Sequence, residues 1–79
     1  MTFTPSFNVV LKDGLSEGER QDVLDKVRKL EGVLSADFNT AAKPAGSQIF
    51  VNYTTRDVIK NPVNEVRRIP GVKNVRHYD

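Results

Sequence analysis

The sequence contains no cysteine and no tryptophan among its 79 residues, and only one histidine. Without cysteine, disulfide bonds and thiolate metal sites are excluded, so packing alone must stabilise the fold. No apolar run approaches the roughly 20 residues that a membrane helix needs, and the first residues lack the pattern of a signal peptide. We therefore expect one cytoplasmic domain over residues 1–79, with no membrane partner.

Groups for catalysis or cofactor binding are also scarce in the sequence. His77 is interpreted as a half-buried histidine at a sheet edge, because no nucleophile or second ligand is fixed near it. Residues 13–16 (DGLS) are too short a signal for a phosphate-binding glycine loop. We therefore expect a protein that is not an enzyme and that uses no cofactor or metal.

The charged residues are divided unevenly between the two halves of the chain. Residues 1–40 hold five Lys/Arg and seven Asp/Glu, a balance of −2, whereas residues 41–79 hold seven and three, a balance of +4. The net charge of +2 is small for a protein that binds a phosphate backbone. The pattern fits an acidic first helix and a basic second half, or simply two solvated surfaces.

A seven-residue phrase occurs twice and organises the chain. Residues 27–33 (VRKLEGV) return as residues 66–72 (VRRIPGV), 39 positions later. Each copy has the residue types of the last turn of an amphipathic helix, followed by a glycine that stops the helix and a valine that begins a strand. The repeat therefore predicts two similar helix–turn–strand units.

One predicted helix leads into each copy of the phrase. The first begins at Ser16, which has the capping-box spacing to Glu19, and continues to Leu30. The second helix has two possible starts, because proline lacks the N–H that an interior helix position needs. Either one kinked helix begins at Arg56, or a short turn precedes a helix that begins at Pro62.

Alternating apolar residues predict strands. In the second of these strands, Leu34 is expected to face inward together with Ala36 and Phe38. Residues 40–47 have no periodic pattern and predict a loop. The four predicted strands are residues 7–12, 34–39, 48–53 and 72–78.

The order strand, helix, strand, strand, helix, strand in one short chain is the α+β, ferredoxin-like βαββαβ arrangement. Right-handed crossovers place the first and third strands at the centre of a four-stranded antiparallel sheet, with both helices on one face. The predicted core under the helices is Phe7, Val9, Leu11, Val23, Val27, Leu30, Ala36, Phe38, Ile49, Val51, Val66, Ile69 and Val75.

The other side of the sheet is predicted to face solvent. Val10 and Phe50 are expected on adjacent central strands, and an apolar pair with an arginine and a tyrosine around it has the composition of a contact surface. Single exposed apolar residues are, however, normal on protein surfaces. The side chains expected on this side are Asn8, Val10, Lys12, Asp37, Gln48, Phe50, Asn52, Arg76 and Tyr78. The candidate partner-binding residues among them are Val10, Lys12, Phe50, Asn52, Arg76 and Tyr78.

The two ends of the sequence resemble the propeptides and stand-alone inhibitors of subtilisin-like proteases. Residues 9–14 (VVLKDG), followed by Ser16 and Glu17, are similar to the opening of that family, and residues 69–75 (IPGVKNV) are similar to its close. The middle departs from the family, with residues 46–48 (GSQ) where a Gly-Phe phrase is usual. The resemblance implies a ferredoxin-like inhibitor or chaperone whose sheet face packs on a subtilisin-type serine protease.

Two alternative functions share some of these features. Residues 50–53 (FVNY) match the second half of the third-strand signature of RNA-recognition domains, which stack bases on sheet aromatics, but Gln48 stands where the first aromatic is expected. Residues 13–15 (DGL) resemble ACT-type regulatory domains, which implies a self-associating or small-ligand regulatory domain. The expected exposure of Phe50 on the sheet separately favours a homodimer through the sheet. The sequence therefore favours another protein as the partner, and nucleic acid less.

Overall fold

The computed structural model of the chain describes residues 5–43, 45–54 and 62–77. The strands form one antiparallel sheet in the order β2-β3-β1-β4, which confirms the α+β, ferredoxin-like βαββαβ fold with β1 and β3 at the centre. The elements are β1 (Ser6–Leu11), α1 (Glu17–Arg28), β2 (Val33–Phe38), β3 (Gln48–Tyr53), α2 (Pro62–Arg67) and β4 (Val72–His77).

The first helix, α1, begins with the capping box that the sequence predicts. The Oγ of Ser16 accepts a hydrogen bond from the N–H of Glu19 at 3.1 Å, and the Glu19 carboxylate accepts one from the N–H of Ser16 at 3.1 Å. These bonds satisfy amide groups that the first turn would otherwise leave unpaired, and such a cap stabilises a helix by about 1 kcal/mol. The helix then buries Val23, Leu24 and Val27.

The second helix, α2, begins at Pro62 in the part of the chain that the structure describes. The first position of a helix tolerates proline because the N–H there has no partner within the helix. The alternative start at Arg56 lies outside the described residues. Within α2, Pro62, Val63 and Val66 are buried.

The core lies between one face of the sheet and the two helices. Ten of the predicted core residues are buried, while Leu30, Phe38 and Ile69 pack only partly buried at its margin. Strand parity is confirmed on both central strands, because Phe7 and Val51 have no exposed surface. Leu24, Tyr53, Val63 and Val72 join the core in addition to the predicted set.

The two copies of the repeated phrase form the same local structure. In each copy a backbone N–H donates to the carbonyl three residues earlier, at 3.2 Å for Leu30 and 3.0 Å for Ile69. Gly32 and Gly71 then adopt φ angles of 90° and 99°, which residues with a Cβ atom rarely adopt. The repeat therefore ends each helix and begins the following strand, as the sequence predicts.

Strand β2 contains an extra residue near its start, two residues after Gly32. Val33 pairs with Tyr53 and Ser35 pairs with Asn52, so Leu34 lies between two paired residues without a partner of its own. The prediction that Leu34 faces inward is therefore wrong, since its side chain is 61% exposed. The bulge shifts the alternation by one residue, which directs Val33 towards the core instead.

Strand β4 contains the equivalent irregularity, 39 residues later in the chain. The pairing with β1 passes from Val72 to Asn74, so Lys73 is the extra residue. Val72 and Val75 are both buried although they are three residues apart, which strict alternation along a strand does not allow. The internal repeat thus includes the bulge as well as the helix end.

Candidate functional site

The side of the sheet opposite the helices carries rows of side chains that cross several strands. A central row contains Asp37 on β2, Phe50 on β3, Asn8 on β1 and Arg76 on β4, each paired with the next. Parallel rows lie on either side of it. We call this surface the open face; it consists of Ser6, Asn8, Val10, Ser35, Asp37, Gln48, Phe50, Asn52, Asn74 and Arg76.

Phe50 is the large apolar side chain at the middle of the open face, and it is 36% exposed. Its partners across the strands are Asn8 and Asp37 rather than a second apolar residue. Val10 is half-buried and pairs with Gln48, so it is the diagonal neighbour of Phe50, and such neighbours are about 7–8 Å apart. The open face therefore has an apolar diagonal crossed by amide side chains.

Asn8 is buried, although its position in the strand directs it to the open face. Asn8 lies on the predicted side of the sheet, but it is only 4% exposed, so the prediction that solvent surrounds it is wrong. Its Nδ2 donates to the Oε1 of Gln48, and its Oδ1 accepts a hydrogen bond from the Nδ2 of Asn39 at 3.3 Å. Burial of an amide is tolerated when it is hydrogen-bonded in this way. These contacts link side chains that are distant in the sequence.

The two predicted cations of the contact surface lie at different distances from its centre. Arg76 is exposed and belongs to the same row as Phe50, two strands away, or about 10 Å. Lys12 is exposed beyond the end of β1, four residues or about 13 Å along the chain from Asn8. Arg76 therefore borders the centre of the open face, whereas Lys12 lies at its end.

The remaining predicted site residues are less prominent. Asn52 is half-buried on the open face, and its Nδ2 donates to the Oγ of Ser35 at 3.0 Å. Tyr78 lies outside the described residues. His77 is exposed rather than half-buried, although its ring remains 6.3 Å from that of Phe7.

Arg28 is a residue whose position the sequence analysis missed. It is the last residue of α1, and its side chain reaches the outer side of β2. There its Nε donates to the backbone carbonyl of Ala36 at 2.9 Å. Its Nη2 also forms an ion pair with the carboxylate of Asp37 at 2.7 Å. The opposite charges of Arg28 and Asp37 were the available signal, but only the packing of α1 beside β2 brings them together.

Side chains that commonly bind metal ions are not clustered in the described part of the chain. Within residues 5–43, 45–54 and 62–77, no three His, Cys, Asp or Glu side chains group so that they could hold a metal ion. Over the same ranges, neither helix is long and apolar enough to cross a membrane. Phe50 is the aromatic residue of the described open face, where the neighbouring position on β1 is Asn8.

Comparison with known proteins adds no family to this description: no family model matches the sequence, and no curated protein does either. Indications of this domain's function therefore come from its fold and its open face. The two features that bear on it are the exposed ring of Phe50 and the cation of Arg76 in the same row.

Proposed function

We propose that this domain is a non-enzymatic module that binds another protein through its open face. The observation that supports this proposal is the position of Phe50, whose ring is 36% exposed at the middle of a four-stranded sheet. Covering apolar surface releases about 25 cal/mol per Å². Binding is therefore favoured when a partner packs on this ring and removes it from water at the centre of the contact.

The surroundings of Phe50 have the anatomy of a protein interface. Such interfaces place apolar and aromatic groups at the centre and polar groups at the rim, with arginine favoured over other charged residues. Here Val10 extends the apolar centre along a diagonal, while Arg76 and Asp37 stand at opposite ends of the central row. This arrangement favours a protein partner over a nucleic acid, which would need further stacking aromatics.

Phe50→Asp is expected to weaken partner binding by about 30-fold or more, the effect of losing a hot-spot residue. The variant should remain folded, with the midpoint of thermal unfolding lowered by several degrees, because Phe50 is not part of the core and losing its ring costs about 1 kcal/mol. The measurement is affinity capture from a cell extract with wild type and variant, followed by calorimetry with the captured protein. Leu34→Asp is a matched control, because Leu34 is 61% exposed at the outer edge of β2.

Equal capture of the same partner by wild type and Phe50→Asp would contradict the proposal, as would a loss confined to Leu34→Asp. Recovery of oligonucleotides in place of protein would favour the nucleic-acid alternative. Sedimentation at two protein concentrations identifies the remaining case, in which the partner is a second copy of the chain bound face to face.

The most specific form of the proposal is an inhibitor or chaperone of a subtilisin-type serine protease. It is supported by the family resemblance of residues 9–14 and 69–75, and by the βαββαβ topology that this resemblance implies. Titration of subtilisin with the protein is then expected to abolish proteolysis at micromolar concentration, with Phe50→Asp much less effective. Full protease activity at that concentration would exclude protease inhibition, but it would not contradict the binding of another protein through the open face.

A further inference from the structure

The size of the open face indicates that a partner contacts more than this surface. Four strands of six residues span about 19 Å by 20 Å, or roughly 400 Å². A standard interface buries about 800 Å² on each partner. The nearest further surface with unused hydrogen-bonding groups is an outer strand of the sheet, and the two outer strands, β2 and β4, differ.

The hydrogen bonds of β1 show which backbone groups point towards β4. The N–H of Leu11 donates to the carbonyl of Ser47 at 2.9 Å, on the side of β3, and the N–H of Lys12 donates to the carbonyl of Gly71 at 2.8 Å, on the side of β4. Backbone groups alternate between the two sides along a strand. The even-numbered residues of β1 therefore bond towards β4.

This alternation identifies the groups on the outer side of β4. Asn74 and Arg76 pair with even-numbered residues of β1, so their N–H and C=O groups point inward. The N–H and C=O groups of Val75 and His77 consequently point outward. Among the described residues, no backbone or side-chain hydrogen bond reaches these outward groups. The outer side of β4 is therefore able to pair with another strand.

The outer side of β2 is protected in a way that β4 is not. The N–H of Asn39 donates to the carbonyl of Gln48 at 2.9 Å, so the odd-numbered residues bond towards β3 and Ala36 points outward. The outward carbonyl of Ala36 is bound by Arg28 at 2.9 Å. A charged side chain bound to an edge carbonyl opposes pairing with a further strand, whereas a bulge is present in both outer strands and does not distinguish them.

The charges beside β4 determine which kind of strand fits there. Residues 62–77 contain four basic residues, three arginines and one lysine, but only one acidic residue, Glu65. Glu65 forms an ion pair with Arg68 at 3.7 Å. Lys73 and Arg76 are exposed on β4 itself. A second copy of β4 would bring the same cations against these and be repelled, whereas an acidic segment would be attracted.

We propose that the outer edge of β4 takes an extended acidic segment of a partner protein as a fifth strand. The backbone of this segment pairs with Val75 and His77, about 4.8 Å from β4, and its carboxylates lie beside Lys73 and Arg76. The inference rests on the proposed function, because the fifth strand continues the open face beyond Arg76. It also supplies the additional contact area that the open face lacks.

Amide hydrogen exchange measured by NMR tests this proposal directly. The probe is a synthetic peptide about six residues long, the usual length of a strand, that alternates valine and glutamate. At saturating peptide, exchange at Val75 and His77 is expected to slow by about tenfold or more, because these amides become hydrogen-bonded. Exchange at Ala36 and Phe38 on β2 should not change, and a peptide with lysine in place of glutamate should not bind.

Charge variants separate the site from the overall charge of the protein. The double variant Lys73→Glu with Arg76→Glu is expected to weaken binding of the acidic peptide by about tenfold or more. Lys29→Glu with Lys43→Glu is the matched control, because both residues are exposed, belong to the segments before and after β2, and change the net charge equally. This control should bind the peptide within about threefold of wild type, since separated surface charges are screened by salt.

Unchanged exchange at Val75 and His77 would overturn the proposal, as would protection of β2 instead or equal binding of the lysine peptide. Loss of binding in both double variants would overturn it as well.

Phe50→Asp distinguishes a failure of the edge site from a failure of the proposed function. Peptide protection that persists in Phe50→Asp supports the edge site even where the open face fails to bind a partner. If the peptide changes the NMR signals only of residues around Phe50, the peptide binds the open face and the edge site is excluded.

Discussion

Phe7→Ala is expected to lower the free energy of unfolding by about 3–5 kcal/mol, whereas Phe50→Ala is expected to lower it by about 1 kcal/mol. The two residues lie on adjacent central strands but on opposite faces of the sheet. Phe7 has no exposed surface, and its ring centroid is 5.0 Å from that of Tyr53, so its removal leaves a cavity in the core. Phe50 is 36% exposed, and water occupies the space that its ring leaves.

Urea unfolding followed by circular dichroism measures both changes under the same conditions. Because the same side chain is truncated in both variants, the difference between them reports the environment and not the residue type. Similar losses for Phe7→Ala and Phe50→Ala, or a larger loss for Phe50→Ala, would show that the two faces of the sheet have been assigned incorrectly. The proposed binding surface would then be part of the core.

Gly71→Ala is expected to destabilise the protein by about 3 kcal/mol, from two separate costs. Its φ angle of 99° lies in the region that residues with a Cβ atom rarely adopt. A Cβ atom at this position would also lie 3.0 Å from the Cγ2 of Val23 and 3.3 Å from the Cδ1 of Leu15. Val23 is buried in α1 and its branched side chain has little rotamer freedom, so the contact is not easily relieved.

Gly14→Ala isolates the first of these costs. Gly14 has a similar φ angle of 81°, but a Cβ atom there would meet nothing within 4 Å. We expect this variant to lose about 1–2 kcal/mol, the cost of the left-handed conformation alone. Thermal unfolding of the two variants side by side measures the difference. An equal loss in both would show that α1 does not approach the turn at Gly71 closely.

Much of the fold was predictable because its signals are local in the chain. The capping box of Ser16 and Glu19 and the two glycines of the repeat act within a few residues of their own positions. The alternation of β1 and β3 likewise depends only on the period of a strand, so it assigned Phe7 and Phe50 to opposite faces correctly. The order of the six elements, with right-handed crossovers, then indicated the observed topology.

The bulges were not predicted, although a signal for them was present. Val33 and Ala36, and again Val72 and Val75, are apolar residues three positions apart in strands, a spacing that requires an extra residue if both are to be buried. The expectation that Leu34 is buried followed from applying strict alternation through this point. A bulge reverses the face of every strand residue before it, so strict alternation assigned Leu34 to the core although it is exposed.

For the candidate site, the sequence indicated the position of Phe50 and Arg76 on one face, but not what surrounds them. Asn8 was expected to be exposed, yet its amide is buried by bonds to Gln48 and Asn39, which follow only from strand register. Register depends on pairing between residues about 40 positions apart, and no local pattern encodes it.

By itself, the sequence determined the helices, the strands, the repeat and the two faces of the central strands, because periodicity, caps and glycine turns act over a few residues. Only the tertiary structure decided how the two edges of the sheet differ. Arg28 reaches β2 because α1 packs beside that strand, and it binds the carbonyl of Ala36 there. In the described residues no such side chain reaches the outward groups of Val75 and His77. Which element packs beside an outer strand is decided by the tertiary structure and not by a local pattern in the sequence.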